Sequence, residues 1–118
     1  MGQQSTVIYP EALKSIASSG ISSSYQAIGA ATTHQARIIK LLNNSTQDVT
    51  VSWDGINDHD YVPANSFALY DFTTNRSTDS PLIVAQTGTN LFVKGTAGTG
   101  SVYLVVFYGN TVQITPPL

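Results

Sequence analysis

The chain has 118 residues, of which 42% are hydrophobic and only 10% are Asp, Glu, Lys or Arg. This length predicts one domain with its own core, but the charged fraction is far below the roughly 25% of ordinary soluble domains. A net charge of −2 with five Lys and Arg argues against nucleic-acid binding, which needs a basic track. The absence of cysteine excludes disulfides, thiolate metal sites and a thiol nucleophile.

Ser and Thr, 27 residues together, replace the missing charge. Such a surface is polar but weakly charged, so covering it with a partner costs less than burying ions would. The composition therefore favours a subunit of an assembly over a monomer that is merely rich in Ser and Thr. Residues 1–24 lack a basic segment before an apolar run, and no stretch reaches the roughly 18 apolar residues of a membrane span. We expect neither secretion nor membrane insertion.

Residues 1–24 are predicted to be an N-terminal arm, followed by a β-sandwich domain over residues 25–118. Residues 11–17 contain one apolar stripe that predicts up to two helical turns, and the Ser-rich residues 18–24 predict an extended linker. Either a neighbouring subunit or the domain's own surface is expected to hold the arm. The arm residues that we expect at an interface are Val7, Ile8, Tyr9, Leu13 and Ile16.

From Tyr25 onward, short β-rich runs alternate with turn clusters at spacings near 8 to 12 residues. This spacing predicts an all-β, antiparallel, jelly-roll-like β-sandwich of seven or eight strands. The alternation in residues 48–53 places Val49, Val51 and Trp53 on one face, and Asn43 with Asn44 is predicted to end the preceding strand. The predicted strands are residues 25–30, 36–42, 48–53, 59–62, 67–72, 82–85, 90–94 and 102–108.

The last predicted strand is apolar on both faces. A central strand covered on both sides within the chain is one explanation. The alternative is that another chain covers the row formed by Tyr103, Val105 and Phe107, since such a row is unfavourable in water. These three residues complete the predicted interface.

The densest polar cluster, residues 53–60, raises the question of a metal site. Asp54, Asn57 and Asp58 make a weak candidate for an irregular Ca²⁺ site, because Ca²⁺ takes oxygen ligands. The helix–loop–helix calcium motif fails, because the twelfth position is Asn65 or Leu69 rather than Glu. A hairpin turn is the simpler explanation, and two histidines are too few for zinc. No cofactor is expected.

The sequence contains no recognisable catalytic motif. No Gly-x-Ser-x-Gly elbow is present, and only His34 and His59 could serve as a base. The Gly-rich residues 95–101 have no Lys before the Ser and lie between predicted strands, so they predict a hairpin loop. Trp53 and the tyrosines could stack on sugar rings, which makes a carbohydrate-binding module the best rival function, although strand aromatics are more often core.

Four segments carry a resemblance to a known class of proteins. They are ARIIKLLNN at residues 36–44, VSWDG at 51–55, DHDYVPANSF at 58–67 and GSVYLVVFYG at 100–109. In style and order they resemble the small β-sandwich structural proteins encoded among the head and neck genes of tailed bacteriophages.

The resemblance implies a non-enzymatic virion protein, an assembly subunit of the head–neck (collar or head-completion) region, with capsid decoration or cement as the alternative. The implied partners are other copies and the portal, neck or major capsid protein. The implied location is the virion, assembled in the host cytoplasm. Such proteins have no catalytic residues to carry over.

Overall fold

The computed structural model describes residues 3–73 and 85–114, and these are all-β. A short 3-10 turn, Ser18–Gly20, is the helical element among them. The described residues contain no helix that could span a lipid bilayer. The strands are β1 Gln3–Pro10, β2 Lys14–Ala17, β3 Gln26–Ala27, β4 Ala36–Ser45, β5 Val49–Ser52, β6 Asp60–Val62, β7 Ser66–Asp71, β8 Phe92–Gly95 and β9 Gly100–Ile114.

The strands form two antiparallel sheets. The first has the order β1-β9-β4-β7 with β2 also on β9, and the second has the order β3-β8-β5-β6. Pairing is nested along the chain: β2 pairs with β9, β3 with β8, β4 with β7, and β5 with β6. Eight strands nested in this way and folded into two sheets make a jelly roll. The predicted antiparallel, jelly-roll-like sandwich is therefore confirmed, and β1 is added to its edge.

The core lies between the sheets and consists of the inward residues of each strand. Alternation places Val49 and Val51 there, as predicted, at 1% and 0% exposure. Trp53 follows the end of β5 and packs, half-buried, against the rim of this core. The other fully buried aliphatic side chains include Ile28, Ile39, Leu41, Val62, Leu91, Val93, Val102, Leu104 and Val106.

Strand β4 does not end at Asn43, as the two consecutive asparagines predict, but continues to Ser45. The side chain of Asn43 is fully buried. Its amide nitrogen lies 2.9 to 3.2 Å from the carbonyl oxygens of Gln47, Val62 and Pro63, and its oxygen accepts a hydrogen bond from the Ser45 hydroxyl. Because these partners replace water, the buried amide is compatible with a continuous strand.

The predicted helix over residues 11–17 is wrong. Residues 14–17 form β2, which pairs with residues 101–104 of β9. The edge of β9 offers these residues a complete ladder of backbone hydrogen bonds, which outweighs a weak helical stripe. Beyond β2, Ser18 and Ile21 are buried, so the segment predicted as an extended linker packs against the domain.

The glycine-rich residues 95–101 do not close a hairpin, because β8 belongs to the second sheet and β9 to the first. This loop crosses between the sheets. Gly100 has a φ of 88°, and a Cβ there would lie 2.2 Å from the carbonyl oxygen of Asn44. The turn after β5 does close a hairpin, since β5 pairs with β6. The predicted strand over 82–85 falls largely outside the described residues, and Ala85 makes an isolated bridge to Ala36.

Candidate functional site

The most distinctive surface is the side of the first sheet that faces away from the core. Three adjacent strands, β7, β4 and β9, supply its side chains in cross-strand rows. One row is Phe67, Leu42 and Tyr103; the next is Leu69, Lys40 and Val105; the third is Asp71, Ile38 and Phe107. We call these nine residues the outer apolar face, because seven of them are apolar or aromatic.

Two large apolar side chains on this face are exposed to solvent. Phe67 is 61% exposed and Leu69 is 54% exposed, while Tyr103, Val105 and Phe107 are half-buried. Leu13, 63% exposed, lies just before β2. Large exposed apolar side chains that adjoin one another usually mark a surface that another molecule covers.

Two opposite charges lie within the outer apolar face. Lys40 stands between Leu69 and Val105, and Asp71 is diagonal to it on the neighbouring strand. Hydrogen bonds from the hydroxyl and backbone N–H of Thr73 hold the pKa of Asp71 below its ordinary value. Lys40 and Asp71 therefore add no net charge to the face.

The outward side of the second sheet is different in character. Asp58 accepts a hydrogen bond from the Tyr25 hydroxyl and forms an ion pair of 2.9 Å with Lys94, whose ammonium lies 4.7 Å from the centre of the Tyr25 ring. Tyr61 donates to Asp48 at 2.5 Å. The second sheet therefore presents polar groups that are already bonded to one another, whereas the outer apolar face of the first sheet carries few polar groups.

The structure divides the predicted interface residues between locations. Tyr103, Val105 and Phe107 lie together on the outer apolar face, whereas Leu13 lies just before β2 and lines a cleft with Glu11 and His34. Ile16 instead packs against the core. Along β1, Ile8 and Tyr9 lie on opposite sides of the strand and both are exposed, at 41% and 38%. The Tyr9 ring stacks on Tyr108 at 5.6 Å, and Val7 shares its side of the strand.

Sequence reasoning identified three of the nine residues of this face, Tyr103, Val105 and Phe107. Phe67 and Leu69 lie in the predicted strand over residues 67–72, where alternation places them on one side but does not tell which side is core. Ile38 and Leu42 belong to β4, whose residues are apolar on both sides, as in β9. Two strands of this kind, placed side by side in one sheet, are the signal that would have revealed the face.

The corner between β1 and β2 is held by Glu11. Its carboxylate accepts a hydrogen bond from the backbone N–H of His34 at 3.1 Å, contacts His34 Nδ1 at 3.0 Å and pairs with Lys14 at 3.4 Å. Burial raises the pKa of Glu11, but the side-chain hydrogen bond with His34 and the charge of Lys14 outweigh burial, so the pKa lies below the ordinary 4.5. The ring of His34 in turn stacks on Tyr108 at 3.6 Å.

This Glu11 corner borders a cleft of about 490 Å³. The ionisable groups that line the cleft include Glu11, Lys14 and His34, which are bound to one another. Thr33 Oγ1 also contacts His34 Nδ1, at 3.0 Å. Because the hydroxyl and the Glu11 carboxylate meet the same ring nitrogen, they do not form the relay across two nitrogens that a catalytic triad uses.

In the weak calcium candidate, the carboxylate oxygens of Asp54 already accept hydrogen bonds from other groups of the same turn. Asp54 Oδ1 accepts hydrogen bonds of 2.8 Å from the backbone N–H groups of Ile56 and Asn57 and from the Ser52 hydroxyl. Asp54 Oδ2 accepts one from the side-chain amide of Asn57. These bonds hold the pKa of Asp54 far below its ordinary value. Within the described residues, no group of three or more His, Cys, Asp or Glu is placed to hold a metal ion.

Trp53 was the main candidate for stacking on a sugar. Its ring meets the ring of Tyr70 edge-on at 5.1 Å and that of Phe72 at 6.5 Å. Tyr70 is fixed by a 2.5 Å hydrogen bond from its hydroxyl to Asp60, and burial with this bond raises its pKa. The Trp53 ring is therefore part of an aromatic cluster at the core's rim.

Comparison of the chain with protein-family models, with curated proteins and with solved structures found no match.

Proposed function

We propose that this protein is a non-enzymatic structural subunit that packs against other protein subunits through the outer apolar face. The exposure of Phe67 and Leu69 beside the half-buried Tyr103, Val105 and Phe107 is the observation that carries the proposal. Burying a Phe or Leu side chain is favourable by roughly 1.5–3 kcal/mol when the side chain is initially fully exposed. Covering Phe67 and Leu69 at their remaining exposure would therefore contribute about 1 kcal/mol each or more.

The asymmetry of the sandwich supports packing on one side. The second sheet presents Tyr25, Asp58 and Lys94 as a bonded polar group, which a partner would have to desolvate. The outer apolar face carries only the charges of Lys40 and Asp71, whose signs are opposite. A partner that covers this face gains apolar burial at little electrostatic cost.

We further propose that the assembly is the virion of a tailed bacteriophage, with the protein in the head–neck region. The support is the resemblance of its sequence segments to head and neck proteins, its low charge and its eight-strand jelly roll. Virus capsid proteins use this architecture, but lectins and cupins use it too, so the fold supports the proposal without choosing between them. The partners would be further copies together with the portal, neck or major capsid protein.

Electron microscopy of purified phage particles tests this assignment. An antibody raised against the full chain and coupled to gold should label the single vertex where head and tail join. Label spread over the capsid surface would replace the head–neck position with that of a decoration protein. Particles that carry no label, together with absence of the chain from their mass spectrum, would overturn the virion proposal.

A further inference from the structure

Strands β1 and β9 extend past the sandwich as a two-stranded ribbon. Their pairing runs from Pro10 opposite Phe107 to Gln3 opposite Ile114, whereas the pairing of β4 with β9 begins at Ala36 opposite Tyr108. In the part of the chain that the structure describes, β9 beyond Tyr108 therefore has β1 on one edge and no strand on the other. The long axis of the molecule is 58 Å, against 26 and 21 Å for the others.

One hydrogen bond fixes which backbone groups point away from the ribbon. The N–H of Glu11 donates to the carbonyl oxygen of Val106 at 2.9 Å. Hydrogen-bonded and non-hydrogen-bonded pairs alternate along an antiparallel ladder. In this register Thr6 and Thr111 form a non-hydrogen-bonded pair, so the N–H of Thr111 faces away from β1 and that of Thr6 faces away from β9. On the β9 edge, the outward backbone groups are those of Gly109, Thr111 and Gln113.

The two edges of the ribbon are not equivalent. By the same alternation, the backbone of Pro10 faces outward on the β1 edge, at the end of the ribbon nearest the sandwich. Proline has no N–H to donate, so this end of the β1 edge is poorly suited to pairing with another strand. The β9 edge has no such feature and continues the line along which β4 pairs with β9. Charged side chains are the other common protection of an exposed edge, and residues 3–10 and 109–114 contain none.

We infer that the β9 edge of the ribbon pairs antiparallel with the same edge of a second copy of this chain. A two-fold axis near Thr111 would place Thr111 opposite its equivalent and Gly109 opposite Gln113, giving a four-stranded sheet in the order β1-β9-β9-β1. Identical edges are self-complementary across a two-fold axis, and an uncharged ribbon brings no like charges together. A two-stranded ribbon is marginal alone, and two further strands stabilise it.

A pair of proline variants tests which edge is used. Thr111→Pro removes a donor from the β9 edge and Thr6→Pro removes one from the β1 edge, while neither removes a bond between β1 and β9. Sedimentation equilibrium of the full chain should show dimerisation weakened at least about tenfold by Thr111→Pro, because two symmetric hydrogen bonds are lost, and little changed by Thr6→Pro. Equal dissociation constants for both variants, or a loss confined to Thr6→Pro, would overturn the inference.

Cysteine crosslinking keeps the test decisive if a proline variant does not fold. The chain has no cysteine, so Thr111→Cys and Thr6→Cys each introduce a single thiol. Under oxidising conditions Thr111→Cys should form disulfide-linked dimers much faster than Thr6→Cys; equal rates would contradict the pairing. Thr111 lies in the ribbon, away from Phe67 and Leu69 on β7. The double substitution Phe67→Ser with Leu69→Ser should therefore leave the Thr111→Cys crosslink intact. In this way the crosslink tests the ribbon pairing independently of the proposed function of the outer apolar face.

Discussion

The side-chain amide of Asn43 on β4 donates a hydrogen bond of 3.1 Å to the carbonyl oxygen of Val62 on β6 and so joins the two sheets. Its two hydrogens are shared among three carbonyl oxygens, and its own oxygen accepts from Ser45. The group replaces water for several buried backbone acceptors at once.

We expect Asn43→Ala to lower the free energy of unfolding by about 3 kcal/mol, because it leaves buried carbonyl groups without partners. Urea denaturation measures the change. The matched control is Asn44→Ala, whose side chain is exposed and whose effect should stay within about 0.5 kcal/mol. Similar losses for both variants would mean that Asn43 does not join the sheets.

A second prediction concerns pH and Glu11. The pKa of Glu11 in the folded protein lies below its ordinary value of 4.5. The ionised carboxylate therefore makes its full contribution to the free energy of unfolding above pH 4.5 and loses it as the pH falls through the pKa of the folded state. Glu11→Gln should therefore reduce the free energy of unfolding by about 1 kcal/mol at neutral pH, and the difference from the original protein should shrink in acid. A difference that stays constant down to pH of about 3 would contradict this linkage.

Gly100 gives a backbone prediction. Alanine there must take a φ of 88° and place its Cβ 2.2 Å from the Asn44 oxygen. We expect Gly100→Ala to cost more than about 2 kcal/mol in thermal or urea unfolding. Gly20→Ala is the control, because a Cβ at that position meets nothing within 4 Å. An equal effect of both substitutions would argue against the crossing described for residues 95–101.

For Asp54, the structure predicts a role in the turn rather than in binding calcium. Asp54→Ala should lower the melting temperature, because the backbone N–H groups of Ile56 and Asn57 lose their acceptor. The decrease should be the same with and without millimolar Ca²⁺. A rise in the melting temperature of the unchanged protein on adding Ca²⁺, abolished by Asp54→Ala, would instead establish a cation site.

The strand positions were largely predictable from local signals. Turn clusters separate the runs, and the alternation around Val49 and Val51 identifies their inward side. Residues 14–17 were misassigned because β2 forms only by pairing with a strand more than eighty residues later in the chain. The local pattern contains no trace of that partner, and nonlocal pairing overrides a weak helical preference.

The candidate face was only partly predictable for the same reason. The sequence identified Tyr103, Val105 and Phe107 because β9 is apolar on both sides. It did not identify Phe67 and Leu69, since their membership depends on β7 lying beside β4 and β4 beside β9. Burial of the Asn43 amide was likewise hidden, because Asn is usually a turn residue and two of its three acceptors, the carbonyl oxygens of Val62 and Pro63, lie at the end of β6 in the opposite sheet.

The central claim is that the outer apolar face binds other subunits, and the molar mass of the full chain as a function of concentration tests it most directly. Sedimentation equilibrium should show multiples of 12.6 kDa, with association weakened at least about tenfold by Phe67→Ser combined with Leu69→Ser. Ile56→Ser is the control, because Ile56 is 80% exposed in the turn between β5 and β6, away from this face. A 12.6 kDa monomer at every concentration, or an equal effect of both changes, would contradict the claim.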